Sequence, residues 1–172
     1  MQIVQSHPII KYYLDRVAPN CLEQWVDNLW TRILRRYFYL DKYGIEREAR
    51  VAENSLIRAN VIVSKEHSGQ FCQFLFVESK RAPPANRMPS ERWCDRAATQ
   101  LSNYMAASRE HLKTPSEAPK LFGIVSIGRY VRFYSMVQES NCLIPIDNIT
   151  YDLKKDSNEI EDFLTEFEKC KL

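Results

Sequence analysis

The segment that most constrains the fold is residues 71–81, Phe-Cys-Gln-Phe-Leu-Phe-Val-Glu-Ser-Lys-Arg, an apolar run that ends abruptly in charged residues. Aromatic and β-branched residues in so short a run favour a largely buried β-strand. Because side chains alternate along a strand, we expect Glu78 and Lys80 on the same face. The run therefore predicts a carboxylate and an ammonium group side by side at a strand end, either as a metal-plus-lysine site or as an ordinary ion pair facing solvent.

The composition is that of one folded domain. The chain has 172 residues, of which 45% are hydrophobic and 27% charged, so it can bury a substantial core. A net charge of +2 gives no global basic field, and any nucleic-acid role must depend on a local patch. No apolar run approaches the ~18 residues of a membrane span and no signal-like segment follows Met1. We therefore expect an intracellular protein, nuclear or cytoplasmic, without a membrane partner.

The five cysteines are widely spaced and odd in number, and no pair of them has the spacing of zinc ligands. Most lie within apolar patterns, so we expect buried, reduced thiols. These residues are Cys21, Cys72, Cys94, Cys142 and Cys170.

Three helices are predicted. The first begins near Asn20, which we expect to cap it, with Glu23 completing a capping box. The second follows Ser90, and four of its residues recur at helical spacing and share a face. They are Trp93, Ala97, Gln100 and Tyr104. The third is amphipathic, with apolar residues at helical spacing over 160–167.

Strands are predicted on both sides of the second helix. A weak alternation over 45–51 indicates an edge strand, and two stronger runs form a hairpin, 56–63 and 71–80, joined by a turn at 66–69. The Pro-rich segment 82–89 is predicted to be a loop. After the second helix, two more runs flank Gly128 as a second hairpin, 121–127 and 130–137.

This order of elements predicts an α/β fold with a central mixed sheet of four to five strands flanked by helices. We expect a single domain over residues 1–172. Its core spans about 20–137, followed by a C-terminal extension over 138–172.

Two short motifs resemble those of a known superfamily. Glu78-Ser79-Lys80 at the third strand, followed by Gln100 and Tyr104 on the next helix, resembles the PD-(D/E)xK, or restriction-endonuclease-like, nucleases, and the Gln-x-x-x-Tyr spacing resembles their RecB-like members. The hairpin around Gly128 is similar to that of orphan fungal and Crinkler-effector domains of this type. The resemblance implies a core of α-β-β-β-α-β-β order, here with a C-terminal helix added.

The resemblance also implies a metal site. Mg²⁺ or Mn²⁺ would be held by Glu78, the Ser79 carbonyl and the residue at the end of the second strand. Lys80 would orient the attacking water and offset the charge that develops on the phosphate, with Gln100 in hydrogen-bonding reach.

One position departs from the family pattern. The second strand should end near an Asp, and the residue best placed is Asn60, whose amide brings no negative charge to a metal. Three interpretations remain open: another acid substitutes in space, the metal site is weak, or the domain is an inactive relative kept for binding. The acids considered are Glu23, Glu48 and Glu53. We favour the inactive relative.

The expected partner is DNA or RNA. Arg81, Arg87 and Arg92 surround the Pro-rich loop and are placed to contact phosphates, with Tyr104 nearby. The alternative is an inactive protein-interaction module that does not bind nucleic acid and docks on a protein partner through its C-terminal helix.

Overall fold

The computed structural model describes residues 7–39, 41–51, 56–67, 69–110, 120–137 and 141–170. They form an α/β fold in which four helices flank one open, mostly antiparallel seven-stranded sheet. Within these ranges, no helix combines the length and the apolar character needed to cross a membrane.

The helices and strands follow one another in a simple order. The helices are α1 (Pro8–Arg16), α2 (Glu23–Tyr37), α3 (Glu91–Glu110) and α4 (Ser157–Lys169). The strands are β1 (Tyr43–Arg50), β2 (Arg58–His67), β3 (Gln70–Lys80), β4 (Leu121–Ile127), β5 (Tyr130–Met136), β6 (Leu143–Pro145) and β7 (Tyr151–Asp152). A single 3₁₀ turn, Pro84–Asn86, interrupts the loop before α3.

The sheet has the order β1-β2-β3-β4-β5-β6, with β7 also paired to β5. Strands β1, β2 and β3 form an antiparallel meander. Strand β4 then runs parallel to β3, with Glu78 level with Val125 and Lys80 level with Ile127. A parallel neighbour requires a crossover connection, and α3 lies in it. The end of β3 is therefore in the middle of the sheet, between β2 and β4.

Each face of the sheet has its own hydrophobic core. The first core joins α1, α2 and α4 to one face, where Val61, Val77 and Phe133 are buried. The second joins α3 to the other face, where Phe76 and Leu101 are buried. The alternation along β3 assigns odd-numbered Val77 and even-numbered Phe76 to opposite faces, as the strand period of two requires.

The expected chain order of one helix, three strands, one helix, two strands and a terminal helix is present. The predicted strand count was wrong, because the sheet has seven strands rather than four or five. The two extra strands, β6 and β7, span three and two residues, too short for a periodic pattern. Helix α1 was also missed, since it buries only Ile10 and Leu14.

Several predicted boundaries were displaced. Helix α2 begins at Glu23 with Leu22 at the N-cap, whereas Asn20 has a positive φ of 58° and does not cap it. Strand β2 continues to His67, so the turn into β3 comes later than predicted. The buried-thiol prediction holds only for Cys94, and all five cysteines are free.

Candidate functional site

The candidate site lies at the C-terminal end of β3, where Glu78 is completely buried. Its carboxylate forms an ion pair with Lys80, two residues on, as the strand alternation predicted. Lys80 keeps 25% of its side-chain surface exposed, so the pair links the interior to the protein surface. Burial raises the pKa of Glu78 above its usual range, while Lys80 and the Tyr104 side chain oppose that rise.

Asn60 lies at the start of β2 rather than at its end, where the family pattern placed the metal-binding residue, and its amide is hydrogen-bonded through both its oxygen and its nitrogen. The backbone N–H of Ser79 donates to its Oδ1 at 3.1 Å, and its Nδ2 donates to Oε1 of Glu23 at 3.2 Å. The last paired residues at this end of β2 and β3 are Val61 and Val77. The Asn60 side chain therefore adds one more link between the two strands, just beyond their backbone pairing. Its amide oxygen is therefore already engaged by the protein itself.

Glu23 belongs to the site rather than to a capping box. It is the first residue of α2, and its Oε1 lies 3.9 Å from Nζ of Lys80 as well as within hydrogen-bonding distance of Asn60. Lys80 thus lies between two carboxylates, one buried on β3 and one partly exposed on α2. Of the two candidate acids that lie within the described residues, Glu23 and Glu48, Glu23 is the one that the fold brings to the site.

Glu48 is placed differently. It is exposed on β1, has a φ of 48°, and its side chain makes neither an ion pair nor a hydrogen bond with any residue of the described ranges. Glu53 lies outside the described residues.

Asp27 adds a third carboxylate, one helical turn after Glu23 on α2. It is only 4% exposed, and burial raises its pKa, with Ser79 and Asn60 among the side chains that oppose the rise. Its Oδ2 lies 3.8 Å from Nη2 of Arg47 on β1. The cluster therefore combines three carboxylates with two cations, and the carboxylates outnumber the cations.

Helix α3 supplies the opposite wall. Tyr104 is half-buried, and burial, together with the nearby Glu78 carboxylate, raises the pKa of its phenol. Gln100, one turn earlier, is exposed and lines an open depression together with Lys80, so it is not a buried amide. The positions of these two residues are consistent with the prediction that Gln100 and Tyr104 share one face of the helix near the end of β3.

The end of β3 is held in place by the β4–β5 turn. The backbone N–H of Gly128 donates to the Lys80 carbonyl oxygen at 2.9 Å. Ser126, which is level with Ser79 in the parallel register, donates its hydroxyl to the Gly128 carbonyl oxygen at 3.0 Å. The Glu78-Ser79-Lys80 segment is therefore fixed from both neighbouring strands.

Part of the donor set of this cluster is already engaged by the protein, while Asp27 Oδ1 is buried without a hydrogen-bond partner in the described residues. A hard divalent cation needs several free oxygen ligands in a defined geometry, whereas Lys80 occupies the space between two of the carboxylates and the Asn60 oxygen accepts a backbone hydrogen bond. Across the described ranges, no three His, Cys, Asp or Glu side chains are arranged to hold a metal ion.

The three predicted phosphate-binding arginines are all exposed. Arg81 follows β3 directly, Arg87 lies in the Pro-rich loop, and Arg92 is in the first turn of α3. Arg96, which sequence reasoning did not single out, lines the same depression as Lys80 and Gln100.

Comparison with known proteins leaves the site to be interpreted from its own geometry. No protein-family model, no curated protein and no solved structure matches this chain.

Asp27 and Arg47 are the site residues that the sequence reasoning missed. A signal for Asp27 was present, because it lies between Val26 and Leu29 on the apolar stripe of the predicted helix. An acid on a buried stripe requires a partner. Arg47 had no comparable signal, since an arginine on an edge strand is ordinarily solvated.

Proposed function

We propose that this chain is a restriction-endonuclease-like domain of the PD-(D/E)xK type that binds DNA or RNA at the end of β3 and has little or no metal-dependent hydrolytic activity. The observation that carries the proposal is the position of Lys80. Its ammonium group is paired with Glu78 and lies near Glu23, beside an open depression lined by Arg96 and Gln100.

The fold is consistent with this proposal. An antiparallel meander, β1 to β3, is followed by a helix and by a strand parallel to β3, in the order expected of the core. The Glu78-Ser79-Lys80 motif ends β3, and Gln100 and Tyr104 lie on the helix that follows it.

The absence of strong hydrolysis is proposed on electrostatic grounds. A metal-dependent nuclease concentrates negative charge to attract a divalent cation, which then stabilises the charge on the phosphate. Here the Lys80 side chain is placed among the carboxylates, and Asn60 donates a hydrogen bond to Glu23 where a second acid would repel it. Both features weaken the attraction of the cluster for a divalent cation.

Binding is proposed through the partly exposed Lys80 and the exposed arginines around this edge. Lys80, Arg81 and Arg96 surround the β3 end, and Arg87 and Arg92 extend the positive surface along the Pro-rich loop and the start of α3. Each phosphate contact made by such side chains releases counterions, so the affinity should fall steeply with salt.

The test measures binding of labelled single-stranded DNA, single-stranded RNA and duplex DNA at 50 and 200 mM salt. A triple variant, Arg81→Ala, Arg87→Ala and Arg92→Ala, should weaken binding and reduce the salt dependence by roughly 0.7 to 0.9 per lost contact in log–log slope. The matched control removes three exposed cations toward the other end of the molecule: Arg35→Ala, Lys42→Ala and Lys169→Ala. It should leave both quantities unchanged.

A cleavage assay completes the test. Native chain and the Asn60→Asp variant are incubated with plasmid, single-stranded DNA and RNA in Mg²⁺ or Mn²⁺. Robust cleavage by the native chain that disappears in Lys80→Ala would overturn the inactive part of the proposal.

A protein-interaction module is the second candidate. The observation that favours it is a group of exposed isoleucines on β6 and the loop after it: Ile144, Ile146 and Ile149 are 44%, 41% and 53% exposed. The C-terminal helix offers less, because its apolar residues Ile160 and Leu164 are buried in the core. Absence of any nucleic-acid binding at low salt would favour this candidate.

A further inference from the structure

Two neighbouring surface depressions share one wall, Trp93 on the first turn of α3. The first encloses about 430 Å³ beside the candidate site and is lined by Trp93 together with Lys80, Arg96 and Gln100. The second encloses about 330 Å³ and is formed mostly by the Pro-rich loop. Its other lining residues are Pro83, Pro84, Ala85, Arg87, Met88, Pro89 and Ser90.

The two depressions differ in chemistry. The one beside the site presents a lysine, an arginine and an amide. The loop depression is mainly apolar, with three prolines and Met88, whose side chain is 63% exposed, and it has Arg87 at its margin. Proline restricts the backbone, so the loop loses little conformational entropy when a ligand binds.

Trp93 is only half-buried, and within the described ranges no other ring stacks on it and no cation lies over it. Glu91, in the same helical turn as Trp93, is paired with the Arg132 guanidinium at 2.5 and 2.8 Å. A half-buried apolar ring beside the cations Arg96 and Lys80 fits a ligand that is flat and aromatic at one end and anionic at the other.

We infer that Trp93 and the Pro-rich loop form a stacking platform for an unpaired base, whose flanking phosphates are held by Lys80 and Arg96. This inference rests on the proposed nucleic-acid binding and specifies its substrate as single-stranded. In a duplex the faces of the bases are covered by their neighbours, whereas an unpaired base can stack on a tryptophan. The ring need not be a particular base, since every base has a flat π-face.

The test compares three ligands of one length: a single-stranded 12-mer, the same strand as a duplex, and an abasic 12-mer that keeps the phosphates. The native chain should bind the single strand about tenfold more tightly than the abasic strand, in the range measured for base–aromatic stacking. Trp93→Ala should lose about the same factor for the single strand and nothing for the abasic strand. Trp93→Phe should recover most of the loss.

Tryptophan fluorescence gives a second readout on the native fold. Stacking of a base on Trp93 should quench its emission when the single strand is added. The Trp93→Phe variant keeps two tryptophans: Trp30, which is fully buried, and Trp25, which packs against Tyr13. In this variant the quenching should disappear while binding of the single strand persists.

The outcomes separate this inference from the proposed function. Equal affinity of the native chain for the single strand and the abasic strand would overturn the platform but leave phosphate binding intact. Stronger binding of the duplex than of the single strand would do the same. Failure to bind any of the three ligands at low salt would overturn the proposed function and this inference together. Because the abasic comparison uses the native chain, it decides the matter even if Trp93→Ala does not fold.

Discussion

The side-chain oxygen of Asn60 accepts the backbone N–H of Ser79 at 3.1 Å, immediately beyond the last paired residues of β2 and β3. An asparagine at this position therefore fastens two strands together while its Nδ2 donates to Glu23. An aspartate could keep the first bond but would bring a second carboxylate against the Glu23 oxygen.

Asn60→Asp should therefore lower the free energy of unfolding by about 1–2 kcal/mol in the absence of divalent cations, as expected when a hydrogen bond is replaced by repulsion. Millimolar Mg²⁺ or Mn²⁺ should restore more stability to this variant than to the native chain, because a ligand that binds only the folded state stabilises it. Thermal unfolding with and without the metal measures both effects. Equal metal responses in the two chains would contradict the assignment of Asn60 as the residue that disfavours metal binding.

Lys80→Met should destabilise the chain by about 3 kcal/mol at pH 7, because it leaves the buried Glu78 carboxylate without its cation. The loss should be smaller at pH 5, where Glu78, whose pKa is already raised by burial, can take up a proton. The double variant Lys80→Met with Glu78→Gln should recover part of the stability. Urea unfolding of the native chain, the single variants Lys80→Met and Glu78→Gln, and the double variant completes the cycle. A loss below about 1 kcal/mol in Lys80→Met would show that the pair contributes no more than an ordinary exposed ion pair.

Asp27→Asn should make the stability of the chain less dependent on pH. Burial raises the pKa of Asp27, so the folded state binds its proton more tightly than the unfolded state does. Stability therefore rises as the pH is lowered through the raised pKa toward the unfolded value of about 3.9, and falls as the pH increases through the same window. The variant should be as stable as the native chain or more so at pH 7, and it should gain less on going to pH 5.

Chemical denaturation at pH 5, 6 and 7 measures this difference. Comparing the variant with the native chain cancels the contributions of the other titrating groups. Identical slopes would show that Asp27 has the same pKa in the folded and unfolded chains.

Gly128→Ala should destabilise the chain by about 3 kcal/mol, since it combines an unfavourable backbone conformation with a steric clash. Its φ is +60°, and an added Cβ would lie 2.7 Å from the Cα of Ala82. The substitution should also weaken nucleic-acid binding, because the Gly128 N–H holds the Lys80 carbonyl.

Gly69→Ala is the matched control. Its φ is +79°, but no atom of the described residues lies within 4 Å of the added Cβ. Gly69→Ala should therefore lose only the cost of the unfavourable backbone conformation, about 1 kcal/mol. Equal losses at the two positions, measured by thermal unfolding, would show that the contact with Ala82 relaxes without cost.

Period-two alternation was sufficient to predict most of the sheet and the pairing of Glu78 with Lys80. It was sufficient because these strands are long and bury one or both faces, so their apolar residues occur at the positions that are buried. Strands β6 and β7 could not be predicted, since two or three residues carry no period. Helix α1 carried one usable signal, Pro8 at its first position, which is a favoured place for proline.

The candidate site was only partly predictable. Glu78, Lys80, Gln100 and Tyr104 follow from motif spacing. The role of Glu23 did not, because an acid at a helix start is equally well explained as a capping residue, and only tertiary packing directs it toward Asn60 and Lys80. The hydrogen bond from the Ser79 N–H to the Asn60 oxygen forms because the pairing of β2 with β3 ends just before these residues. The sequence does not predict that end point, because a shift of the strand register by one residue would move it.

The order in which the chain can fold follows from the one parallel strand pair. The β1–β3 meander joins segments that are close in sequence, whereas β4 can reach β3 only after α3 has closed a long loop, which is the slower step. The Lys80 carbonyl meets Gly128 only when that loop is closed. The charge cluster lies on α2, β1 and β3, so what waits for this closure is the other half of the site: the Gly128 clamp on the Lys80 carbonyl and the placement of Tyr104 beside Glu78.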